Sequence, residues 1–238
     1  MSAANLEFRY GDQVIAFALK RRPRETLSIS VNPELDVEVV APTDAPLQQI
    51  LEKLRKRAPW IQRQLQFFAQ YQPRTPARRY IAGETHLYLG RQYKLKVTRH
   101  IQEDVKLYRG CLLVQSHRPK DADLTRELVE GWYRARAHLK FGERLALCQE
   151  RFPRPEAHAP TGLVVRQLQQ RWGSMAPTGK LVLNRNLIRA SVDAIDYVIT
   201  HELCHIRHHH HGPKFYRLLD EVMPDWERRK TKLERQLA

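Results

Sequence analysis

At 238 residues the chain is long enough for one large domain or two small ones with a proper core. Hydrophobic residues make up 42% and charged residues 28%, ordinary for a soluble globular protein, and no apolar run of about 18 residues exists that would cross a bilayer. Lys and Arg number 41 against 26 Asp and Glu, so the net charge is +15. That admits nucleotides or nucleic acid as partners, though a merely solvated basic surface gives the same count.

Residues 5–41 read as strands: Leu6, Phe8 and Tyr10 alternate, Gly11 and Asp12 supply a turn, and Val14 to Leu19 answer as a hairpin partner. Leu27, Ile29 and Val31 follow, then a turn over Asn32 to Asp36, then Val37, Val39 and Val40. The cluster Lys20, Arg21, Arg22 and Arg24 fits a solvated hairpin end better than a phosphate patch. Pro42 and Thr43 to Pro46 open a helix carrying Leu47, Ile50, Leu51, Leu54, Trp60, Ile61 and Leu65, which Pro59 is expected to break in two. Gln72 to Arg79 reads as a linker. A soft boundary therefore divides a β-rich region with helices, 1–75, from 76–238.

A second small sheet is expected over 80–116. The clearest helix is Asp121 to Gln149, with Asp121 or Asp123 as its cap and Leu124, Leu128, Trp132, Ala135, Leu139, Leu145 and Cys148 as its core stripe. Leu163 to Leu168 and Leu181 to Asn184 read as strands, Arg171 to Gly179 as a loop, and a last helix begins near Asp193. No internal repeat emerges. Cys111, Cys148 and Cys204 cannot all pair within the chain and show no C-x-x-C spacing. With no stretch resembling a signal peptide, the expected compartment is a reducing cytoplasm.

Chemistry concentrates in His201, Glu202, Leu203, Cys204 and His205. Histidines four apart on a helix are rotated by about 40°, so both rings leave one face and can grip one ion. A glutamate beside them suits the general base of a metal-dependent hydrolase. His211, ten residues after His201, has the spacing of a third ligand, but His208 stands where such motifs carry a turning glycine. His208, His209 and His210 therefore compete, as do Asp220 and Glu221 in a two-histidine, one-acid site. On a continuous helix His208 would lie roughly 10 Å along the axis from His201, so a bend near 207–210 is required. Cys204, off the shared face, reads as packing.

Arg171-Trp172-Gly173-Ser174, Leu183-Asn184, Asp196-Tyr197-Val198 running into His201-Glu202-Leu203-Cys204-His205, and then His211 and Phe215-Tyr216 together resemble the YgjP-like metallopeptidases, a family related to the SprT and WLM metalloproteases. The resemblance implies zinc ligands at His201, His205 and His211 and a catalytic acid/base at Glu202. It also implies an α+β, zincin-like fold in which a small sheet packs on the active-site helix. Met175 replaces the family's usual cysteine and Tyr216 its usual tryptophan, which leaves the proposed ligands intact and marks the substrate cleft as the part free to differ.

Beside the motif, Arg171 reads either as an anchor for a substrate carboxylate or phosphate or as a structural ion-pair partner. Asn184 is either a peptide-binding edge residue or a turn cap, and Tyr216 either reaches an oxyanion or packs beside Phe215. The leading function is a zinc-dependent peptidase acting on a peptide or protein substrate. One alternative is a metal-dependent nucleoside triphosphate phosphohydrolase using the same site, although no G-x-x-x-x-G-K-[ST] loop is present. Another is a basic nucleic-acid-associated protein with accessory protease activity.

Overall fold

The computed structural model describes residues 4–32, 34–69, 78–168 and 171–237. Contacts divide the chain into two compact units, one running to Thr75 and one starting at Pro76. Among the described residues five α-helices and three small sheets form.

In the first unit, β1 (Ala4–Tyr10) and β2 (Gln13–Arg22) form an antiparallel hairpin that turns at Gly11, where φ is 58°. β3 (Ser28–Val31) and β4 (Val37–Pro42) form a second, and β2 joins β4 in parallel to give the order β1-β2-β4-β3. Alternation turns Phe8, Ile15, Phe17, Leu19, Val37, Val39 and Ala41 inward, where they share a core with Ile50, Leu54, Ala58 and Ile61 of α1 (Leu47–Ala69).

Contrary to the expected break, α1 runs through Pro59 as one helix. Proline removes the hydrogen bond to the carbonyl four residues earlier. That residue is Arg55, which is exposed as Pro59 is, so water can serve the freed carbonyl while the apolar stripe continues underneath.

The basic cluster is solvated at Arg22 and Arg24 and engaged at Lys20 and Arg21. Lys20 pairs with Glu38, and Arg21 Nη1 donates to the carbonyls of Pro42, Thr43 and Ala45 at 3.2, 3.1 and 2.8 Å, tying down the entry to α1. The expected linker falls mostly on residues 70–77, outside the described ones.

The second unit opens with β5 (Thr85–Tyr88), β6 (Arg91–Arg99), β7 (Asp104–Tyr108) and β8 (Cys111–Ser116), ordered β5-β6-β8-β7 with β6 parallel to β8. This repeats the topology of the first unit, two hairpins joined through their second strands, and again a long helix follows. That helix is α2 (Ala122–Gln149), capped by Asp121, whose carboxylate accepts from the Asp123 and Leu124 amides at 3.1 and 3.0 Å. The absence of a repeat in the sequence thus gives way to a repeat of structure.

The buried stripe of α2 is Thr125, Val129, Trp132, Tyr133, Ala137, Phe141 and Cys148. The expected stripe was only partly in phase: Trp132 and Cys148 are buried and Leu128 and Leu145 pack against the core, but Leu139 is 62% exposed and Ala135 faces solvent. Counting leucines missed that Val129, Tyr133, Ala137 and Phe141, four apart, fill the core instead.

A third sheet places β11 (Lys180–Asn184) between β9 (Gly162–Arg166), parallel to it, and β10 (Gly173–Met175), antiparallel to it. The segment 171–179, expected to be loop, thus contains an edge strand. α3 (Val192–Cys204), α4 (Pro213–Val222) and α5 (Trp226–Leu237) complete the unit.

α3 is buried nearly all round and shares its core with α2, α4 and α5. Its one buried acid on the α2 side, Asp196, receives both nitrogens of Arg144 at 2.7 Å and Arg151 at 2.9 Å, with Arg229 of α5 at 3.8 Å. The turn at Gly90 abuts the start of α3: Gly90 has φ 76°, and a Cβ there would lie 2.8 Å from Ser191 Cα. No helix is long and apolar enough to cross a membrane among the described residues.

Candidate metal centre

α3 stops at Cys204, immediately short of His205, which caps it with φ −67°. The next amides close tightly: Ile206 N–H donates to the Leu203 carbonyl at 3.1 Å, and Arg207 and His208 N–H both reach the Cys204 carbonyl, at 3.2 and 3.0 Å. After this single turn the chain leaves the helix direction and re-enters one at Pro213, whose fixed φ and missing N–H suit a first helical position. The reversal that a glycine would provide is made by residues 206–212 with no left-handed residue among them.

The reversal returns His211 to His201, with their Nε2 atoms 3.0 Å apart. One nitrogen from each of His201, His205 and His211 lies within 4.8 Å of the others. His208 contributes its backbone: His205 Nδ1 lies 2.9 Å from the His208 carbonyl, which makes Nδ1 the protonated nitrogen and leaves Nε2 with a free lone pair. Phe215 of α4, fully buried, packs on all three rings at centroid distances of 4.9, 4.7 and 4.8 Å.

Burial, with the neighbouring imidazoles, pushes the His201 pKa down to about 3, and burial lowers that of His211 as well. Neutral rings with convergent lone pairs are the form that coordinates a metal, so the donor set fits a divalent ion. His201 Nδ1 is buried without a partner among the described residues.

Glu202 is 8% exposed. Its Oε2 accepts from the Met175 amide of β10 at 2.9 Å. Burial raises its pKa to about 7, opposed by that amide and by the charge of Arg171. Gly173, at the other end of β10, makes room for it: a Cβ there would lie 2.8 Å from Glu202 Cγ and 2.9 Å from Val198 Cγ1.

Of the other candidate residues, Arg171 is exposed and donates to Ser174 Oγ at 3.2 Å, while acting electrostatically on Glu202. Tyr216 is 40% exposed, 6.3 Å from the His211 ring, and stacks on Trp226 at 5.7 Å. Asn184 has the cap role: its amide donates to the Leu168 and Arg171 carbonyls at 2.9 and 3.1 Å and its oxygen accepts from Asn186 N–H. Because β11 is the central strand, the edges of this sheet belong to β10 and β9.

His209, His210, Glu221 and Asp220 stand outside the histidine cluster, Asp220 accepting from Trp226 Nε1 at 2.6 Å. Cys204 is buried and unbonded to another cysteine. Sequence reasoning missed the service of the Met175 amide and of Gly173, for which the only signal was the Trp172-Gly173-Ser174 string.

Grouped imidazoles beside a buried carboxylate are the kinds of group that a metal-dependent hydrolase requires. The chain belongs to the YgjP-like family: the model of the YgjP-like metallopeptidase domain matches residues 25–236. No curated protein and no solved structure matches the chain.

Proposed function

We propose that this protein is a zinc-dependent peptidase with a zincin-like catalytic unit, in which His201, His205 and His211 hold the ion and Glu202 handles the proton. The observation that carries the reading is the set of three ring nitrogens within 4.8 Å of one another, next to a carboxyl whose pKa lies near 7. When bound, zinc polarises the scissile carbonyl and acidifies the attacking water.

The chain's residues do the rest. The Met175 N–H fixes Oε2 of Glu202 and so aims Oε1. Glu202 removes the proton from the attacking water and later delivers it to the departing amine nitrogen. Such a shuttle works best when its pKa lies near the working pH.

Trp172 and Ala176 bond to Asn184 and Lys180 of β11, so Gly173 and Met175 turn their backbone groups away from β11, where Glu202 holds the Met175 N–H and the Met175 carbonyl is left to pair. An extended peptide adding to that edge would run past Glu202 by backbone pairing. Arg171 and Tyr216, both exposed, are free to contact substrate side chains.

Glu202→Gln is expected to keep one equivalent of zinc by elemental analysis and to lose peptide cleavage, whereas His205→Ala loses both. A Glu202→Gln protein that cleaves at the wild-type rate sinks the mechanism.

A further inference from the structure

Arginines in the interior of the second unit are committed to acids: Arg144, Arg151 and Arg229 to Asp196, and Arg185 and Arg189 to Glu130. Arg154 and Arg207, both exposed at the surface, are different. Neither side chain has an ion pair or hydrogen bond among the described residues, and both line one cleft of about 320 Å³.

His158 and His208 join them, Pro153 and Leu218 form apolar walls, and no carboxylate lines the cleft. His158 is 7% exposed and stacks on Phe152 at 4.3 Å. Its Nδ1 meets the Arg154 carbonyl at 3.2 Å, while its Nε2 is buried with no partner among the described residues. Two unopposed guanidinium groups in a concave site focus a positive field and offer planar forks to a tetrahedral or planar oxyanion.

We propose that this cleft is a binding site for a phosphate group, either free or carried by a small phosphomonoester. The guanidiniums of Arg154 and Arg207 donate to its oxygens. None of His201, Glu202, His205 and His211 lines the cleft, so the site is distinct from the histidine cluster. It shares a turn with that cluster, however: His208 lines the cleft, and its carbonyl holds His205 Nδ1. A bound phosphate therefore steadies the segment that orients His205.

The test is calorimetric titration with inorganic phosphate at physiological salt, on the purified protein before and after chelation. One saturable site per chain is expected. Arg154→Gln combined with Arg207→Gln should weaken it tenfold or more. Arg91→Gln combined with Arg99→Gln, which removes the same charge from exposed positions on β6, should leave it unchanged.

Saturating phosphate should slow amide exchange in segments 154–158 and 205–208. Phosphoserine in place of phosphate tells the two ligand sources apart by which of them binds more tightly. A heat signal that vanishes on chelation and survives the arginine pair belongs to the metal centre and overturns the proposal. Equal loss in both arginine pairs, or binding without protection of those segments, overturns it as well.

Discussion

A methyl group added at Gly173 would sit 2.8 Å from Glu202 Cγ and 3.0 Å from its Oε1, closer than such atoms approach. The carboxylate must then swing off the Met175 amide, while the three imidazoles, anchored by Phe215 and the His208 carbonyl, stay in place. Gly173→Ala is therefore expected to retain zinc with wild-type stoichiometry and to lose about 100-fold in kcat, the size of penalty that follows a displacement of about 1 Å in a catalytic group. Metal analysis alongside peptide cleavage checks it. Loss of the metal would show that Gly173 serves the ligands rather than the base. The pattern of the motif made the histidines legible, because helical periodicity alone brings positions 201 and 205 together. The Glu202 clamp was not legible, because it is a backbone amide 27 residues away and no side chain announces it.

Among the elements, α3 carries the greatest burden, since it is buried on nearly every side, contains His201 and is capped by His205. Asp196 fixes its rotation by engaging arginines on both α2 and α5. Asp196→Asn leaves three guanidinium groups facing a neutral amide. Removing one partner of a buried pair costs about 3–5 kcal/mol, and these arginines, 20, 31 and 19% exposed, can relax towards water. The expected loss is therefore about 3 kcal/mol in urea unfolding, at the lower edge of that range. A change below about 0.5 kcal/mol, typical of a surface substitution, would mean the cluster is ornamental. The same element shows where reading a sequence falls short. Alternation and capping located the strands of the first two sheets and the start of α2, yet the phase of α2, the continuity of α1 through Pro59 and the strand β10 all depend on tertiary neighbours. β10 is three residues long, too short for alternation to register, and is held by pairing with β11.

Across the whole molecule, two hairpins with parallel inner strands and a following helix occur twice, and nothing in the residues gives this away. The turns explain why. A positive φ is supplied by glycine at Gly11, Gly90 and Gly110, but the β3–β4 connection uses Leu35 at φ 69° within a loop closed by Asn32 and Asp36. What recurs is strand order, and strand order can be met by many sequences that share only alternation. The first repeat also closes its own core, whereas the second shares one with β11 and α3–α5: Leu54 belongs to a cluster made of residues from the first unit, and the clustered histidines sit on the other. Leu54, wholly buried, is therefore a probe of the first core alone. Leu54→Ala removes apolar contacts and leaves a cavity, a change that costs about 2–5 kcal/mol. We expect calorimetry of the full chain to show two thermal transitions, of which Leu54→Ala lowers one and leaves the other in place, with zinc content and peptide cleavage measured below the first transition unchanged. A single transition that shifts as a whole would show the two cores to be one cooperative unit and would make the first of them part of the stability of the metal centre.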